Sequence, residues 1–333
     1  MPDIAAPYLI YLGDTPMAEL AKTGAGLALW RAERCLAQLR EPGCAADLGL
    51  PDMSVAEAAA KGAKTLVIGT SAPGGQLPPG WTARLVEAME AGLDIASGLH
   101  LPLAAIPALA EAAGRTGRRL HDVRLSGGPH PIANGLPRAG HRLLTVGTDC
   151  AVGKKYAALA IHKALVARGI PATFRATGQT GVLIDGHGYA IDAIVSDFLA
   201  GAVEALTPAA APDHWDVVEG QGSIVHPAYA GVTLGLLHGA QPDAFVVCHE
   251  AGREELLGFP GHKTGSIEEV IALITTLGRV TAPAIRCVGI CLNTSKLSDP
   301  AARAAIADLS HRHNLPVCDP VRFGVDAIVD QLL

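Results

Sequence analysis

The stretch GTDCAVGKK at Gly147–Lys155 decides the fold of the second half of this chain. It follows an apolar run, RLLTVGT, and precedes a helical pattern, so the sequence predicts a strand, a glycine-containing turn and a helix in that order. Such a turn aims successive backbone N–H groups and a helix N-terminus at one anion, and Lys154 adds a positive charge. We predict a phosphate-binding loop formed by Gly147, Thr148, Asp149, Cys150, Ala151, Val152, Gly153, Lys154 and Lys155.

The loop departs from the common GxxxxGK[ST] pattern in two ways. Five residues rather than four separate Gly147 from Gly153, and Lys155 stands where a Ser or Thr would hold Mg²⁺. A loop with two lysines and no hydroxyl for the metal suits an anion that is held but not cleaved, such as the diphosphate or 3′-phosphate of coenzyme A. We therefore expect no metal at this site.

The bulk composition narrows the class of protein. The chain has 333 residues, more than one core usually supports, so two domains are expected. Hydrophobic residues make up 49% and charged residues 17%, which favours folded cores over disorder. A formal charge of −6 argues against binding to nucleic acid, and no apolar run long enough to span a membrane is present. The N-terminus lacks the features of a signal peptide and the seven cysteines include no CxxC pair, so we expect a cytoplasmic protein.

The first half alternates short apolar runs with helical patterns, which is the rhythm of βαβ units and favours a Rossmann-like domain. No GxGxxG opens a helix there, so dinucleotide binding has little support. The pattern predicts strands at 8–13 and 64–70 and in GLDIASG, and helices around 27–39, 81–91 and 102–113.

The second half reads as a P-loop NTPase-like domain with a mainly parallel sheet. Its apolar runs do not alternate with polar residues, which indicates strands buried on both faces. Glycine and proline cluster at 126–140 and separate the halves, so we predict domains at 1–126 and 142–333 with a linker at 127–141. The predicted elements are strands at 142–147, 171–176, 215–219, 243–248, 284–291 and near Pro316, and helices at 153–167, 228–239, 266–278 and 300–313.

Three ordered segments carry a resemblance to known proteins. The loop is similar to that of dethiobiotin synthetase and its P-loop relatives, and ATGQTG at 176–181 and VEGQGS at 218–223 resemble segments after later strands of those enzymes. EAGLDIASGLH at 90–100 and the block at 220–250 extend the resemblance. Over nearly its full length the chain resembles a two-domain family long labelled as of unknown function, whose characterised members are D-glutamate N-acetyltransferases.

The resemblance implies transfer of an acetyl group from acetyl-CoA to the amine of D-glutamate. Two alternatives stay open: an ATP-dependent ligase or kinase of the dethiobiotin synthetase type, and a nucleotide-sensing regulator without turnover. The missing hydroxyl after Lys154 disfavours the first alternative. We also expect small-molecule substrates and a homo-oligomer.

N-acetylation needs a group that removes a proton from the substrate ammonium and groups that stabilise the oxyanion on the thioester carbonyl. Glu219 ends an apolar strand, where open parallel sheets bind ligands, and is our first candidate for the base. Asp197 and His226 are further catalytic candidates, although Asp197 suits a helix N-cap and His226 a turn equally well. Cys150 as a covalent nucleophile is a weaker hypothesis.

Polar side chains near the same strand ends are candidates for binding the substrate. An alternative for Arg253 is a structural salt bridge with Glu250, three residues earlier. The predicted substrate-binding residues are Gln179, Thr180, Ser223 and Arg253.

Overall fold

The computed structural model describes residues 4–70, 77, 78, 80–125 and 129–333. Residues 71–76 and 79 and the first residues of the predicted linker lie outside these ranges. The chain forms two compact units, one of Met1–Gly127 and Gly178–Ala193, the other of Gly128–Thr177 and Ile194–Leu333. The domain limits expected from the sequence stay a prediction.

The first unit is a five-stranded parallel sheet in the order β2-β1-β3-β4-β5, with helices packed on it. The central strand β1 is buried along its whole length, as expected for a strand covered on both faces. The strands are β1 (Tyr8–Gly13), β2 (Cys35–Arg40), β3 (Thr65–Ile68), β4 (Asp94–Ser97) and β5 (Leu120–Asp122), and the helices are α1 (Lys22–Trp30), α2 (Val55–Ala60), α3 (Trp81–Glu90), α4 (Pro107–Thr116) and α6 (Gln179–Asp185).

The second unit is a six-stranded parallel sheet in the order β11-β10-β9-β6-β8-β7. The chain runs from β6 to β7, which lies on one side of β6 in the sheet, and from β8 to β9, which lies on the other side. The carboxyl end of β6 is therefore the switch point, where open α/β sheets bind ligands. The strands are β6 (His141–Gly147), β7 (Ala172–Arg175), β8 (Trp215–Val218), β9 (Ala244–Glu250), β10 (Arg286–Asn293) and β11 (Val317–Cys318), and the helices are α5 (Lys154–Ala167), α7 (Ser196–Leu206), α8 (Ala230–Ala240), α9 (Ile267–Gly278), α10 (Asp299–His313) and α11 (Asp326–Val329).

One predicted element is wrong. The helix expected around 27–39 ends at Trp30, and Cys35–Arg40 forms β2, which pairs in parallel with β1. Residues such as Leu, Gln and Arg favour helices, but pairing along the edge of the sheet overrides that weak preference. The sequence analysis also missed α2, whose Ser54 and Glu57 form a capping box.

No helix in the described part of the chain has both the length and the apolar character needed to cross a bilayer. All seven cysteines lie within the described residues, and no disulfide joins them.

Candidate functional site

The predicted phosphate loop connects β6 to α5. The strand ends at Gly147 and the helix begins at Lys154, with Gly153 as its N-cap at φ 107°. Ala151 also has a positive φ, 56°, so left-handed residues alternate with others along the turn. Such alternation makes a concave nest of backbone N–H groups that suits an anion.

Lys154 lies inside the loop rather than in solvent. The residue is 7% exposed, and its Nζ donates a hydrogen bond to the carbonyl oxygen of Asp149 at 2.7 Å. Burial lowers the pKa of the Lys154 amine, because the charged form loses its hydration. An ammonium has three N–H donors, and among the described residues that of Lys154 donates to one carbonyl oxygen, so the loop fits an anionic ligand such as a phosphate. Lys155, by contrast, lies over the Tyr156 ring at 4.8 Å.

Asp149 holds the outer side of the loop in place. Its buried carboxylate accepts hydrogen bonds from Arg253 Nη1 at 2.9 Å and from the Leu257 amide at 2.8 Å. Arg253 also donates to the carbonyl of Cys150 and pairs with Glu250. The guanidinium is thus engaged in ion pairs with two carboxylates, as the structural alternative supposed, and a role for Arg253 in binding the substrate stays a prediction.

Glu219 follows β8, the neighbour of β6 in the sheet. The residue is 3% exposed, and its Oε2 accepts a hydrogen bond from the Thr177 amide at 3.1 Å. The next residue, Gly220, permits a close approach to β6: a Cβ there would lie 1.6 Å from the Thr145 carbonyl oxygen and 3.0 Å from Cδ of Lys154. Only glycine fits, and the Glu219 turn therefore packs against the stem of the loop lysine.

Ser223 and His226 form the next turn, closed by a hydrogen bond from the His226 amide to the Ser223 carbonyl. Both side chains are buried, and neither Ser223 Oγ nor His226 Nε2 has a hydrogen-bond partner among the described residues. His226 Nε2 lies 4.0 Å from Oδ1 of Asp149. This turn therefore reaches the phosphate loop, and it brings two polar atoms that lack partners.

The structure places the other predicted residues on helices. Asp197 is exposed in the first turn of α7, where a carboxylate is favoured by the helix N-terminus. Gln179 and Thr180 belong to α6 in the first unit; Thr180 Oγ1 lies 3.0 Å from Thr23 Oγ1, and the Gln179 side chain packs against Gly98. Their roles in catalysis and substrate binding stay predictions.

Sequence reasoning did not predict every contact that supports the loop. Thr148 Oγ1 forms a hydrogen bond of 2.8 Å with Nδ1 of His249, the penultimate residue of β9. Burial lowers the pKa of His249, as does the nearby Arg253. The position of His249 near the end of a strand was visible in the sequence, but its partner was not, because that contact depends on the register of β9 with β6.

The parallel sheet with this loop at its switch point defines an α/β protein with a P-loop domain. Residues 131–329 match a family described as a domain of unknown function, the DUF1611_C P-loop domain, and residues 39–126 match the DUF1611_N Rossmann-like domain.

Relatives match over the full length of the chain. A D-glutamate N-acetyltransferase of Tritonibacter scottomollicae is 47% identical, and one of a Pseudoalteromonas species is 44% identical, each over 99% of both chains. A crystal structure of a DUF1611 family protein from Anabaena variabilis is 34% identical, with a TM-score of 0.90 over 98% of this chain and 99% of that one. The chain belongs to this family of D-glutamate N-acetyltransferases, which confirms the family and the fold class predicted from the sequence.

Proposed function

We propose that the protein is an N-acetyltransferase that moves an acetyl group from acetyl-CoA to the amine of D-glutamate. The names of two full-length relatives support the reaction and the amino acid. The phosphate loop supports acetyl-CoA as the donor, because coenzyme A carries the phosphates that such a nest and a buried lysine accommodate.

One observation carries the proposal: the segments that follow β8 and β9 meet at the loop that follows β6. The Glu219 turn packs against Lys154, His226 approaches Asp149, and Arg253 pairs with Asp149. A buried carboxylate and two polar atoms without partners thus lie beside a phosphate-binding loop. Acyl transfer to an amine requires a proton acceptor and hydrogen-bond donors at the thioester, and the cofactor can be held by its phosphates.

In the proposed reaction the loop and Lys154 hold the phosphates. Glu219 accepts a proton from the substrate ammonium, and the freed amine nitrogen forms a bond to the thioester carbonyl carbon. The carbon–sulfur bond then breaks, coenzyme A leaves as a thiolate, and the proton on the new amide nitrogen neutralises that thiolate. No step calls for Mg²⁺, in keeping with Lys155 at the position of the metal-holding hydroxyl. Asp197 is the second candidate for the base.

The test has a binding arm and a turnover arm. Thermal melting without Mg²⁺ should show stabilisation by coenzyme A and acetyl-CoA, and release of free thiol from acetyl-CoA should require D-glutamate. L-glutamate and D-aspartate serve as matched substrates for chirality and chain length. Stabilisation by Mg-ATP alone would favour the ligase or kinase, and binding without turnover on any of these amino acids would favour a regulator.

The predicted substrate residues are tested with the same assay. If these residues bind the carboxylates of D-glutamate, substituting any of them should raise the KM for that substrate. The residues are Gln179, Thr180, Ser223 and Arg253. A homo-oligomer, which we also propose, is tested by light scattering after size-exclusion chromatography.

A further inference from the structure

The hydrogen bonds of His226 fix the position of its ring proton. Its Nδ1 accepts a hydrogen bond from the backbone N–H of Ala228 at 3.1 Å. A backbone N–H can only donate, so Nδ1 must present a lone pair, and the proton of a neutral ring is then on Nε2. This assignment rests on a donor whose role is unambiguous, unlike most histidine contacts.

The Nε2–H group is held in a buried position and has no hydrogen-bond partner in the part of the chain that the structure describes. His226 is 1% exposed, and its ring lies 4.5 Å from that of Tyr229 and 4.6 Å from that of Phe259, which restrict its rotation. Leaving a buried donor unpaired costs about 1–3 kcal/mol, so such a group calls for a ligand atom that accepts it. Ser223 Oγ, in the same turn, is also buried without a described partner.

Geometry and charge keep this ring neutral. A second ring proton would sit on Nδ1 and face the Ala228 N–H, so the hydrogen bond would be lost. Burial lowers the pKa of His226, the charges of Lys154 and His262 lower it further, and Asp149 opposes them. The ring is thus a neutral donor at physiological pH.

The same tautomer disfavours two other roles. Asp149, Cys150 and His226 place ligand-type atoms within 4.8 Å of one another, a spacing that resembles a metal site. A metal would need the lone pair of Nε2, which is available only if Nδ1 carries the proton and gives up the Ala228 bond. For the same reason Nε2 cannot accept a proton from the amine or from the Cys150 thiol.

We propose that His226 acts in catalysis as a neutral hydrogen-bond donor through Nε2–H, to the thioester carbonyl oxygen as it becomes anionic. The inference rests on the proposed acetyl transfer and assigns within it the group that stabilises the oxyanion. Glu219 remains the proton acceptor, so the two residues have opposite roles: one takes a proton and the other offers one without losing it.

Three substitutions separate a donor from a base. His226→Ala should lower kcat about 10²- to 10³-fold, the usual loss for one oxyanion donor, with KM for D-glutamate changed only a few-fold. His226→Gln places an amide N–H near the position of Nε2 and should recover at least about 10-fold of that loss. His226→Asn places its amide near Nδ1 and should not. Equal activities of the Gln and Ala variants, with melting temperatures like that of the wild type, would overturn the donor role.

A second measurement does not depend on turnover. Long-range proton–nitrogen NMR spectra of protein labelled with ¹⁵N-histidine should show one ring, absent in His226→Gln, with protonated Nε2 and unprotonated Nδ1 at neutral pH. A protonated Nδ1, or displacement of the Nε2 proton by Zn²⁺ with unchanged activity, would overturn the inference. Wild-type protein without acetyl transfer would overturn the proposed function as well, so the two failures are distinguishable.

Discussion

Strand β1 of the first sheet and strand β6 of the second sheet both end at a glycine, but the turns that follow them differ. Strand β1 ends at Gly13 and β6 at Gly147, and each strand lies inside its own parallel sheet and leads to a helix. After β6 the turn is a nest with a buried lysine. After β1 the space is filled: a Cβ on Gly13 would lie 2.0 Å from the ring of Trp81, and Trp81 Nε1 donates to the Asp14 carboxylate at 2.9 Å.

The first turns of α1 and α5, the helices that follow these strands, differ in whether their hydrogen-bond donors already have partners. Gly24, in the first turn of α1, donates its N–H to the carbonyl of Gly69 at 2.7 Å, so this backbone donor is already used. At α5 the neighbouring cation Lys154 has one carbonyl partner. A parallel sheet therefore offers a place for a ligand at its switch point, but the residues of the turn decide whether the donors there are free to bind one.

The comparison predicts that the rate of acetyl transfer depends on Glu219, which follows β8 beside the phosphate loop, and not on Asp14, which follows β1. Glu219→Gln keeps an oxygen for the Thr177 amide but cannot accept the amine proton, so turnover should fall about 10²- to 10⁴-fold. The matched change Asp14→Asn keeps an acceptor for Trp81 and should leave turnover unchanged. Steady-state rates of both variants check this.

The pH dependence sharpens the result for Glu219. The fraction of substrate with an unprotonated amine rises with pH, so Glu219→Gln should regain part of its rate in alkaline buffer. The rate of the wild type should change less over the same pH range. Loss of substrate affinity with turnover intact would mean that Glu219 positions the substrate, and no change at all would move the search to Asp197.

The second prediction compares the first residues of α5 and α1. Lys154→Met should weaken binding of coenzyme A by about 1.5–3 kcal/mol, the usual value of a hydrogen bond to a charged group. Lys22→Met, at the exposed start of α1, should leave it unchanged. Calorimetric titration measures both, and equal affinities would show that the loop does not hold the cofactor.

Unliganded Lys154→Met should melt no lower than the wild type, and the sign follows from the pKa. The folded state lowers the pKa of Lys154, so charging this amine opposes folding. That cost is full below the folded pKa and disappears as pH rises above the unfolded value. Any gain in melting temperature for the variant should therefore shrink in alkaline buffer.

The residues that could be predicted from sequence are those whose role is local. The order strand, glycine turn, lysine and helix is written in nine consecutive residues, so the loop and its helix were found with the correct ends to within a residue. The register of separate strands is not local, which is why the His249–Thr148 contact was missed. The placement of Gln179 in the first unit likewise depends on which sheet its helix packs against.

The third prediction concerns the glycines beside the two turns. Gly220→Ala would press a Cβ against the backbone of β6, and Gly13→Ala against the Trp81 ring at a positive φ, so each should lose about 1–3 kcal/mol of folding free energy. Only Gly220→Ala should also weaken binding of coenzyme A, because it displaces the stem of Lys154. Urea unfolding followed by circular dichroism, together with calorimetry on the folded variants, separates the two effects. Weakened binding in both variants would contradict the difference between the turns.

The prediction with the smallest expected effect concerns the residues that keep ligands from the end of β1. Trp81→Phe removes the hydrogen bond to Asp14 but keeps a ring near Tyr11, whose ring centroid lies 5.0 Å from that of Trp81. It should lose about 0.5–1.5 kcal/mol of stability, as for one ordinary hydrogen bond, with acetyl transfer unchanged. Tyr11→Phe, which removes the hydrogen bond from Tyr11 to Glu41, is the matched control in the same unit.

The Trp81→Phe variant also tests whether the space opened by the smaller ring binds phosphate. Because Gly24 still donates to Gly69 in Trp81→Phe, phosphate should shift its melting temperature no more than that of the wild type. A new phosphate-dependent shift in Trp81→Phe that is absent in Tyr11→Phe would mean that the indole alone excludes the anion. The hydrogen bond from Gly24 to Gly69 would then be irrelevant, and the two turns would differ by one side chain rather than by how their backbone donors are used.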